Sequence, residues 1–258
     1  MMERNLWSRE EMILVLNLYL KLPFGQMDAR NPAVIELAGI MGRSANAVAL
    51  RLVNYAACDP LLKKRGVAGM AHGGRKCQDI WKEFVHDRER LVFESEQILA
   101  GREKTTVEDK YKTVLSTLPS GLVGQTRVRE VKTRVNQSVF RQMVLANYGG
   151  RCALTGMDLP ELLVASHVIP WAKNETERLN PENGICLSSL YDAAFDKGLL
   201  SFDQSNKTIF SERLSQNVGK DYYTRHFAPV EGVQLATPGK YRLNPEFLAW
   251  HRQHVFQG

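Results

Sequence analysis

The sequence contains no apolar run long enough to cross a membrane, and it has no internal repeat or low-complexity segment. Its opening residues, MMERNLWSREE, are too charged for a secretory signal. Its four cysteines are scattered over 258 residues, which is too few for a disulfide framework and typical of a reducing compartment. These absences argue against a membrane-spanning protein and a disulfide-rich secreted domain. They predict a cytoplasmic protein with no membrane partner.

The sequence also has little net charge, because 28 Asp and Glu nearly balance 34 Lys and Arg and leave an excess of +6. The excess is uneven: Gly101 to Val135 has eight basic residues against four acidic ones, whereas Asn136 to Gly258 has twelve of each. The densest basic positions, with one that follows closely, are Arg127, Arg129, Lys132, Arg134 and Arg141. Such a cluster predicts contact with the phosphates of DNA. A solvated linker surface is the alternative.

The stretch from Cys152 to Asp203 contains the polar residues that a catalytic site needs. Leu162 to Ile169 is an apolar run that only Ser166 and His167 interrupt, which predicts a short buried strand ending in two polar side chains. Pro170 ends this strand, and a polar loop follows. Gly184 to Leu187 is long enough for a second strand paired with the first. The pattern predicts a hairpin with an Asn-Gly pair (Asn183, Gly184) before its second strand.

A helix is predicted after this hairpin, with Ser188 or Ser189 as its N-cap and Gly198 at its end. Asp192 and Asp196 are four residues apart on it, so both carboxylates point from one face. Like charges at this spacing destabilise a helix unless a cation compensates them. A divalent metal or an arginine could do so, and hard oxygen ligands suit Mg²⁺ or Mn²⁺. His167 has a side chain that could serve as the base for phosphodiester hydrolysis.

The pattern resembles the HNH endonucleases, in the branch found in bacterial restriction and defence proteins. The resemblance extends from about Arg134 to Asp203, begins with RVNQSVFRQMVLANYGGRCALTG, includes a Ser-His-x-x-Pro-Trp setting and ends with YDAAFDKGLLSFD. It implies a ββα fold around one divalent ion. It also implies that His167 is the general base, that Asn183 holds the loop or orients the histidine, and that Asp192 and Asp196 are metal ligands.

The chain departs from that family pattern at two places. Many members have Asp or His directly before the base as a metal ligand, whereas this chain has Ser166, which we include in the predicted metal site. Many members also have two Cys-x-x-Cys pairs that bind a structural zinc. Here Thr155 stands where a second cysteine would follow Cys152, and no paired cysteines come later. We therefore predict no structural zinc.

The N-terminal region is predicted to form three helices, two of which flank a glycine-containing turn at Gly42. The WSREE and GRSANAVALRL segments resemble those of a Myb- or SANT-like helix-turn-helix module. That resemblance implies DNA contacts from Arg43, Ser44, Asn46 and Arg51. The alternative is a three-helix bundle that packs on the nuclease or on a partner.

Further along, the pattern predicts one helix from Gln78 through Leu99 and a proline-started helix in NPEFLAWHRQHVF near the C-terminus. A basic cluster, Lys63 to Arg65, could contact DNA or form only a charged loop. The spacing of His251 and His254 is not that of helical metal ligands, and we predict that both are surface or interface residues.

Together these observations predict an α+β protein with three parts: residues 1–100 as a helical DNA-recognition domain, 101–133 as a basic linker or bridge, and 134–258 as the nuclease domain. The predicted function is metal-dependent cleavage of double-stranded DNA by a homodimer, in a restriction-type role. Two alternatives stay open. One is a DNA-binding regulator that keeps a nuclease-like fold without cleaving, and the other is a non-specific nuclease effector that a partner activates.

Overall fold

The computed structural model of the chain describes residues 6–23, 25–60, 62 and 74–258. The predicted basic cluster from Lys63 to Arg65 lies outside these residues. The chain divides into two compact units, Met1–Val139 and Phe140–Gly258. Helices form the first unit, and helices with two small antiparallel sheets form the second, so the α+β prediction is confirmed.

The first unit begins with the three predicted helices, and their ends follow from local side-chain chemistry. They are α1 (Arg9–Lys21), α2 (Pro32–Met41) and α3 (Ala45–Ala56). Ser8 and Glu11 form a reciprocal capping box at the start of α1, with N–H to side-chain distances of 3.1 and 2.8 Å. Gly42 ends α2 in the left-handed region at φ 65°, where glycine has no Cβ penalty, and Ser44 caps α3. These caps determine where the three helices begin and end.

The prediction of one helix from Gln78 through Leu99 is wrong, because the helix is interrupted after Phe84. The structure has two helices there, α4 (Arg75–Phe84) and α5 (Arg88–Arg102). Asp87 starts the second by accepting a hydrogen bond from the backbone N–H of Arg90 at 3.0 Å. An aspartate at an N-cap competes with continuation of the preceding helix.

The segment predicted as a linker is largely helical. Two short helices, α6 (Val107–Lys110) and α7 (Lys112–Leu115), are followed by the long α8 (Gly124–Asn147). Val131 and Val135 of α8 are buried in a cluster with Tyr111 inside the first unit. The boundary between the two units then falls within α8, after Val139. The segment up to Val139 is mostly polar, which favours a linker prediction, and the apolar residues that pack there recur only at every third or fourth position of α8.

The second unit contains the predicted strand, loop, strand and helix. Strand β1 (Leu163–His167) pairs antiparallel with β2 (Gly184–Ser188), and α9 (Ser189–Asp196) follows directly and packs on both strands. The register places His167 opposite Gly184 and Ser166 opposite Ile185. Every residue of β2 is buried, so this hairpin lies at the core of the unit.

The remainder of the second unit covers this core. Its elements are β3 (Leu200–Phe202), β4 (Thr208–Phe210), α10 (Glu212–Ser215), α11 (Asp221–His226) and α12 (Pro245–His254). Asn244 caps α12 and a proline occupies its first turn, as predicted. Among the described residues no single helix is long and apolar enough to cross a membrane, and only the bent pair of α2 and α3 together matches a span in length and composition.

Candidate active site

His167 ends β1 in an aromatic setting. Its imidazole stacks on the Phe140 ring at a centroid distance of 3.8 Å, and the edge of Trp171 approaches at 5.5 Å. Nε2 of the ring lies 3.0 Å from the carbonyl oxygen of Arg178. The ring is therefore fixed on two sides by aromatic groups and at one nitrogen by the backbone.

These contacts determine the protonation state of His167. Burial lowers its pKa to about 4, although the hydrogen bond to the Arg178 carbonyl acts in the opposite direction. The ring is consequently neutral at pH 7. Because a carbonyl oxygen only accepts, the proton resides on Nε2 and donates to Arg178. The lone pair is then on Nδ1, which is the nitrogen that can accept a proton from water.

Asn183 anchors the loop that supplies this carbonyl. Its side chain is almost fully buried, and its Oδ1 accepts from the N–H of Ile169 at 2.7 Å. Its Nδ2 donates to the carbonyls of Ile169 at 3.1 Å and Glu177 at 3.2 Å. These three bonds join the end of β1 to the loop next to Arg178. Asn183 thus acts on the position of His167 through the backbone.

Asp192 and Asp196 lie on α9, one turn apart. Asp192 is half-buried, and burial raises the pKa of its carboxyl while the nearby Ser166 hydroxyl lowers it. Asp196 is at the more exposed end of the helix, where desolvation and then the Asp192 charge raise its pKa to about 6. Both shifts have the direction expected for two carboxylates that share a region without a compensating cation.

A compensating cation is indeed missing among the protein's own described side chains. Neither Asp192 nor Asp196 forms an ion pair there, and the Arg178 guanidinium pairs with Glu175 instead at 3.4 Å. Ser166 is 2 % exposed, and its hydroxyl hydrogen-bonds with the Asp192 carboxyl, which lowers the pKa of that group.

Two carboxylates and a hydroxyl fit a hard divalent cation. Mg²⁺ is commonly bound through one or two carboxylates while substrate phosphates and water complete its coordination. In the described residues no three His, Cys, Asp or Glu side chains group closely enough to hold a metal ion. The donor set therefore suits an ion that is completed by substrate, and it does not suit a fully protein-enclosed one.

Glycine at position 184 is required by close packing. A Cβ there would lie 2.4 Å from Cγ2 of Val144 and 2.9 Å from Cζ of Phe140, the ring that supports His167. The backbone itself is ordinary extended strand, with φ −129°. Gly184 is therefore a strand residue whose missing side chain leaves room for Val144 and Phe140 of α8. The Asn183-Gly184 sequence does not form a hairpin turn here.

Arg141, one of the predicted DNA-binding residues, is engaged within the second unit. Its guanidinium donates to the backbone carbonyls of Leu163 and, at 2.7 Å, Pro160. These bonds tie α8 to the beginning of β1. The guanidinium hydrogen bonds of Arg141 thus go to backbone carbonyls, and its contact with DNA stays a prediction.

The predicted DNA-binding residues of the first unit fall into two groups. Arg43 forms an ion pair with Glu11 at 2.8 Å and lies over the Trp7 ring, which Arg51 also contacts, at centroid distances of 4.9 and 5.1 Å. Ser44 and Asn46 are exposed. The arginines are thus held in the fold of their own unit, and DNA contact by all four residues stays a prediction.

The basic residues of α8 are also distinguishable by their surroundings. Arg127 pairs with Glu108, and Arg129 is 3.9 Å from Glu130. Lys132 has no ion pair among the described residues, and Arg134 has a buried Nε without a hydrogen-bond partner there. Their contact with DNA phosphates likewise remains a prediction.

The prediction that His251 is a surface or interface residue is wrong. It is 1 % exposed, its ring stacks on Phe195 of α9 at 3.7 Å, and its Nε2 lies 3.1 Å from the Phe195 carbonyl. The Ser201 hydroxyl lies 3.0 Å from its other nitrogen. His251 thus holds the end of the helix that carries Asp196. His254 is exposed, as predicted.

Sequence reasoning missed Phe140, Gly184 as a packing residue, and His251. Phe140 precedes β1 by more than twenty positions, and no local pattern connects it to His167. The contact of Trp171 with His167 could have been predicted, because both residues stand in the Ser-His-x-x-Pro-Trp segment.

An antiparallel hairpin and a following helix, with a histidine on the first strand and carboxylates on the helix, form a ββα unit. Residues 152–203 match the family model described as HNH endonuclease, and this stretch is an HNH endonuclease domain. No curated protein matches the chain. The domain implies nuclease chemistry on DNA, and HNH nucleases generally use a divalent metal ion.

Proposed function

We propose that the protein is a divalent-metal-dependent DNA endonuclease that hydrolyses phosphodiester bonds in a restriction-type role. The observation that carries the proposal is the pair of Asp192 and Asp196 on α9, which form no ion pair among the described residues. Ser166 lies beside Asp192, and the neutral His167 follows Ser166 in β1. Mg²⁺ or Mn²⁺ supplies charge neutralisation of the scissile phosphate when bound. We propose Asp192, Asp196 and Ser166 as the residues that hold it.

His167 is the proposed general base. Its Nδ1 accepts a proton from the attacking water, while Nε2–H stays bonded to the Arg178 carbonyl. That carbonyl stabilises the imidazolium as it forms, because it is an acceptor at the opposite nitrogen. Asn183 is a positioning residue, since it keeps the loop with this carbonyl in place. The products are ends with a 5′-phosphate and a 3′-hydroxyl.

The first unit is the proposed DNA-recognition part, through Ser44, Asn46, Arg43 and Arg51, with the basic face of α8 adding phosphate contacts. We also propose a homodimer with two-fold symmetry. The two strands of a duplex are antiparallel, so two copies related by a two-fold axis bring equivalent sites to both strands.

The experiment is plasmid cleavage on methylated and unmethylated DNA with Mg²⁺, Mn²⁺ or EDTA, for the wild type and His167→Ala. His86→Ala is a matched control, because it removes an exposed histidine of the first unit. We expect metal-dependent cleavage by the wild type and the control, with a loss of roughly 10²–10⁴-fold in His167→Ala, whose DNA binding persists.

Other outcomes separate the alternatives. Discrete fragments support the restriction role, and a smear supports a non-specific effector. DNA binding without cleavage in either metal, for the wild type itself, overturns the enzyme proposal in favour of a non-cleaving regulator. Full activity of His167→Ala leaves the nuclease but removes His167 as its base.

A further inference from the structure

A cavity of about 870 Å³ opens beside Asp196 in the second unit. Its walls come from the residues after α9, from α10 and α11, and from the C-terminal segment, including Lys197, Arg213, Tyr222, Phe227 and His254. Ligand-binding pockets have volumes of about 300–1,000 Å³. The cavity is therefore large enough for a nucleotide, and Asp196, one of the proposed metal ligands, lines it.

Two cationic side chains of this cavity are not neutralised. Lys197 and Arg213 are exposed, and within the described residues their side chains form no hydrogen bond or ion pair. Two other exposed arginines of the unit are engaged, since Arg225 pairs with Asp221 at 2.8 Å and Arg151 with Asp158 at 3.1 Å. Lys197 and Arg213 can therefore bind an anion without first breaking a bond within the protein.

An aromatic ring completes the set. Tyr222 is 46 % exposed and has no ring partner among the described residues, whereas the next residue, Tyr223, is buried against Phe210 and Phe227. Cationic side chains near an unpaired aromatic ring are the features that bind single nucleic-acid strands, through phosphate contact and base stacking. The Asp196 carboxylate at the edge of the cavity repels an isolated anion. It therefore favours a phosphate that binds together with a divalent cation.

We propose that this cavity binds the nucleotide next to the scissile phosphate of the strand being cut. Lys197 and Arg213 contact its phosphates, and its base leaves the stack of the duplex and stacks on Tyr222. The inference rests on the proposed nuclease function and adds the position of the substrate strand. Lys197 and Arg213 are positioning residues, because they act on the strand and not on the reacting bond.

The test for the phosphate contacts is the salt dependence of DNA binding. The full-length wild type, Lys197→Gln, Arg213→Gln and Lys207→Gln are titrated in EDTA with a duplex that the wild type cleaves in Mg²⁺. Lys207 is the control, because it is exposed in the same unit and does not line the cavity. Each lost phosphate contact reduces the slope of log Kd against log salt by about 0.7–0.9. We expect this reduction for Lys197→Gln and Arg213→Gln, and the wild-type slope for Lys207→Gln.

The test for the base contact is a pair of changes. Tyr222→Ser is expected to weaken binding roughly tenfold, and Tyr222→Phe to bind like the wild type, because stacking needs the ring and not the hydroxyl. A series of duplexes has one abasic nucleotide at each position around the cleavage site. At the position that enters the cavity, the loss caused by Tyr222→Ser should disappear, since no base remains to stack.

The outcomes distinguish this inference from the proposed function. If the wild type neither binds nor cleaves DNA, the proposed function fails first. If the wild type cleaves, but Lys197→Gln and Arg213→Gln keep the salt slope of Lys207→Gln, the cavity is not the strand site. If Tyr222→Ser has the same effect with every abasic duplex, the base does not stack there. Thermal unfolding of each variant confirms that it is folded.

Discussion

At the scale of the residue, the Asn183 amide holds the loop beside His167, the proposed base, without touching its ring. Replacing it with alanine leaves the N–H and the carbonyl of Ile169 without these side-chain partners in a buried place, whereas the Glu177 carbonyl keeps the N–H of Asn180 at 3.2 Å. Each such group costs about 1–3 kcal/mol when it stays buried and unsatisfied. The Arg178 carbonyl that fixes His167 belongs to the same loop, so the change should reach the base as well.

We therefore expect Asn183→Ala to lower the free energy of unfolding by roughly 2–4 kcal/mol and to reduce cleavage about 100-fold. Urea unfolding and plasmid cleavage measure the two effects. Asn174→Ala is the control, because Asn174 lies in the same loop and bonds only to groups two and three residues away. An Asn183→Ala protein as active and stable as Asn174→Ala would contradict the role.

His251 gives a prediction about pH. Its burial, with the nearby Arg252 charge, outweighs the hydrogen bond to Phe195 and lowers its pKa to about 4. In the unfolded chain a histidine has a pKa of about 6.5. As pH falls from 6.5 to 4, the unfolded state takes up the proton first, so folding loses stability in this window and is unaffected above it.

The expected size of this effect is about 3 kcal/mol at pH 4 relative to pH 7. It is measured as the difference between the wild type and His251→Gln in urea unfolding from pH 7 to pH 4, so that the other titrating groups cancel. His226→Gln, which changes an exposed histidine, should keep the wild-type pH dependence. An identical pH dependence for wild type and His251→Gln would show that His251 is not held neutral.

At the scale of the element, β2 depends on the missing side chain at Gly184. Gly184→Ala brings a methyl group against Val144 and Phe140, and overpacking of this kind costs about 1–3 kcal/mol. Val144→Ala creates the space that the new methyl needs. The double variant should therefore be more stable than the sum of the two single changes predicts, by about 1 kcal/mol or more. Denaturant unfolding of all four proteins measures this, and simple additivity would contradict it.

The same hairpin shows what the sequence could predict. Strands β1 and β2 and helix α9 follow from an apolar run, a stop at Pro170 and two serines, all of them local signals. The capping box of α1 is equally local. Strand β3 forms by pairing with β4, and Phe140, which stacks on His167, comes from a helix that lies far away in the sequence. Those features depend on tertiary packing, which apolar periodicity does not specify.

Two predictions from the local sequence pattern were wrong: a single helix from Gln78 through Leu99, and a surface or interface position for His251. The apolar spacing continues across Asp87, so one helix was predicted where an N-cap separates two. His251 is predicted at the surface or an interface because its spacing from His254 is not that of helical metal ligands, although its ring stacks on Phe195. In both cases one side chain makes a contact that outweighs the average character of its segment.

At the scale of the whole molecule, binding of a divalent ion should stabilise the second unit. A ligand that binds only the folded state adds about 2.7 kcal/mol at a hundred times its dissociation constant. The stabilisation should appear where the proposed ligands are, in β1, β2 and α9, and not in α1 to α5. Hydrogen exchange of the full chain with and without Mn²⁺ measures it for both units in one sample.

The pH dependence of this binding follows from Asp196, whose pKa is raised to about 6. A raised carboxyl pKa means that the folded protein retains a proton there below pH 6, and the ion must displace that proton. We expect the apparent affinity for Mn²⁺ at pH 5 to be roughly tenfold lower than at pH 7, because about nine in ten Asp196 carboxyls are then protonated. Asp192→Asn and Asp196→Asn should each remove the protection, whereas Asp158→Asn, at an exposed carboxylate of the same unit, should retain it. Equal protection by Mn²⁺ in all three variants would mean that the ion binds elsewhere, and the carboxylate pair would then need another explanation.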